Sequence, residues 1–524
     1  MSSQGRPMRV RLILAFLLLA LSVGGCAPAL ARSGLSQATL APLVRGTETP
    51  TPVPTPSLTP PPAPRPTATL FPVETAVAPP AERLPNIALD VELFYSEHWM
   101  RVRQVVELEN ITSDTWEHVV FNVPIHYVPS AFFLDAATVT QGEAVAADVP
   151  PFESITVLRV PLAHPAPPGE HILIEMHYRV VIPPVSNTAW PPTGTTGWRW
   201  DLLQAGEWYP ALVPYIEGEG WRTWFYHPVG DPTFYPLVNY ALTVRADEGI
   251  TVASGGPVAG LGSYPGLSED GAWRFRLDGG RGIAFLASDN YQVLIGEADG
   301  IPIYSYCLPD HVAAGEAALR IAAESLRLFS ALYGPYPYDS LAVVENGFFG
   351  GMEYSGLISV TDYAYATYPG EAPSLLHALV SHEAAHQWWY GTVGNDQTQE
   401  PWLDESIAFY SELLYFEHYY PNQVGWWWQK RVDQYKPQGP VDANIYAFDD
   451  SATFILLTYG QAARFVRDLR TLMGDQAFFA FLRDYYRTYQ WQTVTADDFF
   501  AVVRRHTDED LSPLLWAYFA NPDH

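Results

Sequence analysis

Two histidines and two glutamates between residues 382 and 405 have the types and the spacing to hold and use a metal ion. The sequence His-Glu-Ala-Ala-His occupies residues 382–386. On a helix, His382 and His386 lie one turn apart on the same face, so that both imidazoles can bind one zinc ion. Glu383 lies further around the helix, where it can act on a water beside the metal without binding the metal itself.

A catalytic zinc ion needs a third protein ligand and one open position. Glu405 follows His386 by nineteen residues, within the sequence Trp-Leu-Asp-Glu-Ser at residues 402–406. Two helices joined by a loop can bring Glu405 back to the histidines. The sequence therefore predicts one Zn²⁺ ion per chain, with His382, His386 and Glu405 as its ligands. The alternative is a pair of surface histidines on an amphipathic helix.

The elements that must position these residues are helices, and strand-like segments come before them. The helical patterns cover Glu371–Tyr390, which opens near Pro373-Ser374, then Pro401–Tyr420, and the ranges 451–473, 475–489 and 496–506. The strand-like segments are Ile301–Tyr306, Leu341–Val344 and Leu357–Val360. This mixture predicts an α+β, mainly helical, catalytic domain over residues 299–524.

Residues 89–298 follow a different pattern, in which apolar and polar side chains alternate. Trp273, Phe275 and Leu277 alternate with charged residues, and breaks that contain proline or glycine separate such segments. Alternation of this kind is typical of half-buried strands. The sequence therefore predicts a multidomain chain, in which an N-terminal all-β, sandwich-type domain precedes the catalytic domain.

The N-terminal segment predicts export and anchoring. Three arginines precede an apolar run that ends in Val-Gly-Gly-Cys, and small residues before a cysteine resemble the lipobox of bacterial lipoproteins. We expect residues 1–25 to be a lipoprotein signal peptide, Cys26 to be acylated, and residues 26–88 to form a tether rich in proline and threonine. The protein would then be extracytoplasmic and anchored to the bacterial cell membrane. The alternative is an ordinary secretory signal with an incidental cysteine.

Composition excludes several classes of partner and scaffold. The chain has 57 acidic and 29 basic residues and a formal net charge of −28, so a nucleic-acid partner is not expected. It has only two cysteines, Cys26 and Cys307, which excludes a disulfide framework and a zinc site made of cysteines. We expect Cys307 to be a small buried apolar residue.

The metal motif and two other segments of the chain resemble a known family. The sequence His-Glu-Ala-Ala-His-Gln-Trp-Trp at residues 382–389, followed by Trp-Leu-Asp-Glu at 402–405, resembles the gluzincin aminopeptidases, the family of aminopeptidase N and leukotriene hydrolase. Residues 350–358, Gly-Gly-Met-Glu-Tyr-Ser-Gly-Leu-Ile, resemble the family's Gly-(Ala/Gly)-Met-Glu-Asn strand motif. Residues 459–463 resemble the segment that carries the family's catalytic tyrosine.

The resemblance covers residues 300–524 strongly and residues 89–298 weakly. It implies a thermolysin-like fold for the catalytic domain. The sequence ends at His524, so we expect the C-terminal helical domain usual in the family to be missing and the cleft to be more open.

The resemblance also implies catalytic roles. Glu383 would take a proton from the attacking water and pass it to the leaving amine. Tyr459 would donate its hydroxyl hydrogen to the developing oxyanion. Glu353 would bind the α-ammonium of a substrate by a charge-assisted hydrogen bond. Gly350, Gly351 and Met352 would lie along the substrate, because the glycines let the backbone approach it closely.

Two positions depart from the family's pattern, and one further position is open to two interpretations. Tyr354 replaces the family's asparagine after Glu353, which removes an amide contact and brings a large ring to the cleft. Ser406 replaces the usual glycine. Glu412 lies two helical turns after Glu405 on the same face and is predicted to orient a ligand histidine, although a surface glutamate is the alternative.

The sequence thus predicts a zinc-dependent aminopeptidase that hydrolyses the N-terminal peptide bonds of extracytoplasmic peptides. One alternative is a zinc endopeptidase of the same fold, which the loss of asparagine at Tyr354 keeps open. The other is a surface binding module without turnover, which would have no physical need for Glu383.

Overall fold

The computed structural model describes residues 76–185, 196–230, 233–258 and 264–523. The predicted signal peptide, Cys26 and most of the predicted tether lie outside the described residues. Within these ranges, no helix has both the length and the apolar character needed to cross a bilayer.

The first part of the described chain consists mainly of strands. They are β1 (Asn86–Phe94), β2 (Trp99–Glu109), β3 (Trp116–Asn122), β4 (Phe132–Gln141), β5 (Ala144–Ala147), β6 (Val157–Ala166), β7 (His171–Val181), β8 (Thr196–Arg199), β9 (Leu202–Ala205), β10 (Ala211–Leu212), β11 (Tyr215–Ile216), β12 (Gly220–Trp221), β13 (Val238–Ala246), β14 (Thr251–Ser254), β15 (Trp273–Gly280), β16 (Phe285–Ser288), β17 (Gln292–Ala298) and β18 (Ile301–Cys307). β1 begins inside the predicted tether.

The second part is mainly helical. Its helices are α1 (Val312–Leu332), α2 (Asp362–Ala366), α3 (Leu375–Ala385), α4 (Trp402–Tyr419), α5 (Val424–Trp427), α6 (Ser451–Ile455), α7 (Ala462–Met473), α8 (Asp475–Tyr489), α9 (Ala496–His506) and α10 (Ser512–Tyr518). Its strands are β19 (Leu341–Asn346), β20 (Gly351–Met352), β21 (Leu357–Thr361), β22 (Val393–Gly394) and β23 (Gln492–Thr493). A strand-rich region followed by a helical region confirms the predicted fold class.

The strand-rich region is built on a seven-stranded sheet with the order β15-β13-β1-β2-β7-β4-β5. Its strands alternate buried and exposed residues; in β2, Met100, Val102, Gln104 and Val106 are buried, and Arg101 and Arg103 between them are exposed. Smaller sheets, β10-β3-β6 and β14-β16-β9-β8, cover the apolar side. Alternation along the strands is what lets one face of each sheet enter a shared core.

A five-stranded sheet, in the order β17-β18-β19-β21-β20, supports the motif that resembles the family's strand. β17 and β18 form an antiparallel hairpin, so the predicted boundary between residues 298 and 299 falls between its two strands. β20 is the edge strand and carries Gly351 and Met352. An edge strand leaves backbone groups free on one side, so this motif can be reached from the cleft.

Two helices differ from the sequence prediction. No helix was predicted for the residues of α1, an alanine-rich helix that is buried on most of its circumference. α3 ends at Ala385, five residues before the predicted end at Tyr390. The side chains of Trp388 and Trp389 are both buried, and the chain must leave the helix to place them among aromatic rings of α1 and α8.

Candidate active site

α3 brings the two predicted ligand histidines together. Ser374 caps its N-terminus by accepting a hydrogen bond from the backbone N–H of His377. His382 lies in the last turn, and His386 is the residue at which the helix ends. Their Nε2 atoms are 3.1 Å apart, and both side chains are buried. The spacing of four residues therefore places both imidazoles on one face.

α4 supplies the third predicted ligand. Oε2 of Glu405 lies 3.2 Å from Nε2 of His382 and 3.3 Å from Nε2 of His386. Ligands at about 2.0–2.1 Å around one tetrahedral zinc ion are separated from each other by about 3.3 Å. Oε2 is buried and forms no hydrogen bond with any residue that the structure describes. Three converging donor atoms and an unsatisfied carboxylate oxygen fit a single tetrahedral cation.

Groups behind the histidines fix their orientation. Nδ1 of His386 lies 3.0 Å from the backbone oxygen of Trp389, so this nitrogen carries the proton and leaves Nε2 for a metal. Nδ1 of His382 lies 3.3 Å from Oε1 of Glu412, although without the alignment of a formed hydrogen bond. Arg431 donates two hydrogen bonds to Glu412, at 2.8 and 2.7 Å. The structure thus places Glu412 in the interior, beside His382, rather than at the surface.

The charges of this centre reinforce one another. Burial alone would raise the pKa of Glu405, but the adjacent His386 and His382 outweigh it and lower this pKa to about 2. Burial likewise opposes the charged form of His382, yet the carboxylates of Glu405 and Glu412 raise its pKa to about 9. These shifts show how strongly the buried imidazoles and carboxylates of this centre interact at short range.

Glu383 lies beside the three converging ligands, and its position depends on a glycine. Its side chain is buried, and burial raises the pKa of its carboxyl to about 8. A Cβ atom at Gly351 would lie 2.0 Å from Oε1 of Glu383. Gly351 therefore makes room for the carboxylate of Glu383, a role different from the close approach to substrate predicted from the sequence.

Tyr459 reaches the same centre from a third element. The predicted helix over residues 451–473 is interrupted by a π-helical segment, Leu456–Gln461, between α6 and α7. π-Helical turns often occur at functional sites. The hydroxyl of Tyr459 donates a hydrogen bond of 2.5 Å to Oε1 of Glu405, and the ring packs against Phe409 and Phe454. The phenol thus lies within reach of the space beside the ligands.

A cavity next to this centre has an acidic wall. Met352 and Glu353, both from the predicted substrate motif, line it together with Glu207, which follows β9 in the strand-rich region. Burial raises the pKa of Glu207 to about 8, and the nearby charge of Glu353 adds to this increase. The cavity thus holds one buried and one half-buried carboxyl group, and the buried guanidinium of Arg281 also lines it.

The two departures from the family's pattern have distinct surroundings. The half-buried ring of Tyr354 packs against an apolar cluster that includes Leu202, Tyr306 and Leu357, and Tyr354 also borders the cavity. Its backbone oxygen accepts a hydrogen bond of 3.2 Å from Gln387. Ser406 is buried, and its hydroxyl has no hydrogen-bond partner. Gly350, with φ of 93°, lies in the turn before β20 and needs the freedom of glycine there.

Three residues of the site were missed by the sequence prediction. Glu207 comes from a region without a recognised motif, and nothing in its local sequence distinguishes it. Gln387 and Gln397 are neutral amides in the segment that connects α3 with α4. Gln387 immediately follows His386, and that adjacency was the one usable signal. Contacts between residues far apart in sequence, such as Gln397 with Glu353, have no periodic signature.

Comparison with known proteins agrees with this geometry. The peptidase family M1 domain matches residues 317–518. The chain is 26% identical over 299 residues to an aminopeptidase N of Streptomyces lividans, an alignment that covers 52% of this chain and 34% of the relative. It is 25% identical over 233 residues to aminopeptidase M1 of Arabidopsis thaliana, covering 42% of this chain and 26% of the relative.

A third relative extends the match slightly further. The chain is 22% identical over 314 residues to a leucyl aminopeptidase of Saccharolobus solfataricus, covering 54% of this chain and 38% of that protein. The alignments thus span between a quarter and about four tenths of the length of these three relatives. Residues 317–518, which hold both histidines, Glu405 and Tyr459, thus match the peptidase family M1 domain, and the alignments with aminopeptidases support the resemblance to the gluzincin aminopeptidases.

Proposed function

We propose that this protein is a zinc-dependent aminopeptidase that hydrolyses the N-terminal peptide bond of peptides. The observation that carries the proposal is the convergence of His382, His386 and Glu405, with ligand atoms 3.1–3.3 Å apart, beside a cavity lined by the carboxyl groups of Glu353 and Glu207. The names of the relatives support the same class of reaction.

The ligand set fits zinc because it combines two imidazoles with one carboxylate and leaves a position open. When bound there, zinc would polarise the scissile carbonyl and lower the pKa of a water molecule. Glu383 would accept the proton of the attacking water and later deliver it to the leaving amine. The raised pKa of its carboxyl, about 8, suits a group that must both take and return a proton near neutral pH.

Tyr459 would stabilise the oxyanion that develops on the scissile carbonyl. Its hydroxyl already donates a short hydrogen bond into the centre, to Glu405. A small rotation of the phenol would redirect the same donor to the substrate oxygen. Phe409 and Phe454 confine the ring, so little conformational freedom is lost when it changes partner.

The preference for a free N-terminus would come from Glu353 and Glu207. A substrate α-ammonium placed in the cavity would lie between the buried carboxyl group of Glu353 and the half-buried carboxyl group of Glu207. Charge-assisted hydrogen bonds in such a place are stronger than at the surface. A peptide with a blocked N-terminus would cover these carboxylates without bringing a positive charge to them, which is costly.

The proposal is tested with purified protein that lacks residues 1–25. It should hydrolyse an aminoacyl p-nitroanilide, lose that activity to a chelator, and regain it with added zinc. Glu383→Gln should retain zinc and lose at least about 100-fold in kcat, the usual contribution of a general base. Full activity of Glu383→Gln would contradict the mechanism.

The second candidate function is a zinc endopeptidase, favoured by Tyr354 in place of the family's asparagine. An internally quenched peptide with an acetylated N-terminus separates the two. If it is cleaved as fast as its free counterpart, the endopeptidase is correct and Glu353 has no role in recognising an amine. Zinc below about a tenth of an equivalent would instead favour a binding module without turnover.

We also propose that the protein is exported and anchored through lipid on Cys26. The support is the sequence of residues 1–26 and the tether that follows it. An anchored enzyme on a long tether would act on peptides outside the membrane.

A further inference from the structure

Gln397 lies between two buried carboxylates of the site. Its Nε2 donates one hydrogen bond to Oε1 of Glu353, at 3.1 Å, and another to Oδ2 of Asp404, at 2.8 Å. All three side chains are at most 4% exposed. Asp404 directly precedes the ligand Glu405, and its other oxygen accepts a hydrogen bond from Asn395. One amide therefore connects Glu353, which lines the cavity, with α4, the helix that carries the ligand Glu405.

The strand-rich region fixes the orientation of this amide. Carboxylates can only accept hydrogen bonds, so the NH₂ group of Gln397 must face Glu353 and Asp404, and its carbonyl must face away. Oε1 of Gln397 accepts a hydrogen bond from the hydroxyl of Thr233, a buried residue between β12 and β13. Oγ1 of Thr233 lies 3.1 Å from Oη of Tyr390, which can complete the chain as a donor.

The choice of an amide has a consequence for charge. Glu412, the carboxylate behind His382, is held by the guanidinium of Arg431 and so has its charge neutralised. Glu353 is held by Gln397, and no other hydrogen-bond donor to it is found among the described residues. An amide fixes one oxygen of Glu353 without removing the negative charge. The carboxylate thus keeps both a free oxygen and its charge for a cationic ligand.

We propose that Gln397, oriented by Thr233, is a positioning residue that aims the Glu353 carboxylate at the α-ammonium of the substrate. This inference rests on the proposed function and deepens it, because it gives the strand-rich region a second part, besides that of Glu207, in recognising the N-terminus. Thr233 belongs to the strand-rich region, and Glu353 directly follows β20 of the five-stranded sheet. The Gln397 amide therefore links these two parts of the chain by hydrogen bonds.

Glu353, His386 and Asp404 could also be considered as a second metal site, because their ligand atoms cluster. The NH₂ group of Gln397 bonds to both carboxylates of that cluster, and Nδ1 of His386 faces the backbone oxygen of Trp389. Protein groups therefore already form hydrogen bonds with the residues of this cluster. The NH₂ group of Gln397 holds the two carboxylates together, so no cation is needed between them.

The test uses the mature protein and four variants. Thr233→Val removes the hydroxyl with little change in shape, and Thr233→Ser restores it. Gln397→Met removes the amide, and Gln399→Met, an exposed glutamine in the same turn, is the matched control. For each protein we would measure bound zinc, thermal stability, and kcat and KM with an aminoacyl p-nitroanilide. In the Glu383→Gln background, calorimetry would give the Kd of an amino acid amide and of its N-acetyl derivative.

We expect Thr233→Val and Gln397→Met to raise KM about tenfold, as the loss of a hydrogen bond to a charged group does, with a smaller change in kcat and with normal zinc content. The preference of the binding site for the free amine should fall by the same factor. Thr233→Ser and Gln399→Met should behave as the wild type.

Two results would overturn the inference. The first is an unchanged preference for the free amine in a zinc-replete Thr233→Val variant. The second is a decrease in kcat with unchanged KM in both Thr233→Val and Gln397→Met. That result would mean that the amide acts through Asp404 on the metal ligands rather than through Glu353 on substrate binding. If Gln397→Met fails to fold, Thr233→Val decides. If the wild type binds zinc but hydrolyses nothing, the proposed function fails, and calorimetry still tests the role of Gln397.

Discussion

Gly351 lies so close to Glu383 that a Cβ atom on the glycine would be 2.0 Å from the carboxylate oxygen Oε1. The edge strand that borders the cleft and the helix that carries the metal motif therefore meet at this point without a side chain between them. The position of the proposed general base depends on a residue from a different element, thirty-two residues earlier in the chain.

The first prediction follows from this contact. Gly351→Ala should displace the Glu383 carboxylate and reduce kcat at least about 100-fold, because a general base must lie within hydrogen-bond reach of its water. Bound zinc should remain at one equivalent, since no ligand is touched. Gly425→Ala, where an added Cβ meets no atom within 4 Å, is the matched control. Wild-type kcat in Gly351→Ala would show that Glu383 has room to move.

The second prediction concerns Glu412, which faces Nδ1 of His382 and is neutralised by Arg431. Glu412→Gln should weaken zinc binding about 10–100-fold, as the loss of a group behind a ligand histidine commonly does. Competition with a chromophoric chelator measures this affinity. Glu417→Gln changes a carboxylate on the same helix that pairs with Arg470, and it should leave zinc affinity unchanged.

The third prediction concerns stability and pH. Burial raises the pKa of Glu207 to about 8, whereas the pKa of a glutamate in an unfolded chain is about 4.3. Between these values the folded state holds more protons than the unfolded state, so this group makes the free energy of unfolding decrease as pH rises from about 5 to 8. Glu207→Gln removes that decrease.

Thermal denaturation of both proteins across this range checks the third prediction. The variant should be more stable than the wild type at pH 8 by at least a few degrees, and the difference should shrink toward pH 5. Parallel curves for the two proteins would mean that Glu207 titrates normally.

The fourth prediction concerns the N-terminal residues. In a bacterial host that processes lipoproteins, the full chain should sediment with the membranes and should be released from them by detergent. Cys26→Ser should appear in the soluble extracytoplasmic fraction with unchanged kcat, because the lipid supplies anchoring and takes no part in catalysis. Membrane association that survives Cys26→Ser would contradict acylation at this position.

The sequence alone predicted the parts of the site that depend on local spacing. His382 and His386 are one helical turn apart, so the regular geometry of a helix was enough to pair them. Glu405 could be assigned because a catalytic zinc ion needs a third ligand and two helices joined by a loop can bring this residue back, whereas Tyr459 was assigned from the resemblance. The alternation of apolar residues likewise predicted the strand-rich region before β19.

The remaining features depend on tertiary packing, which leaves little trace in local sequence. The prediction left out α1, which is buried on most of its circumference. α3 was predicted too long because two adjacent buried tryptophans require the chain to leave the helix. Glu207 and Gln397 join the site from separate segments, and only the folded chain brings them to Glu353.

The most direct test of the account is the location of the metal. A crystal of the mature protein grown with zinc should show one anomalous peak at the zinc edge, about 2.0–2.2 Å from Nε2 of His382, Nε2 of His386 and a carboxylate oxygen of Glu405. A peak elsewhere in the molecule, or full zinc occupancy without Glu405 as a ligand, would contradict the account.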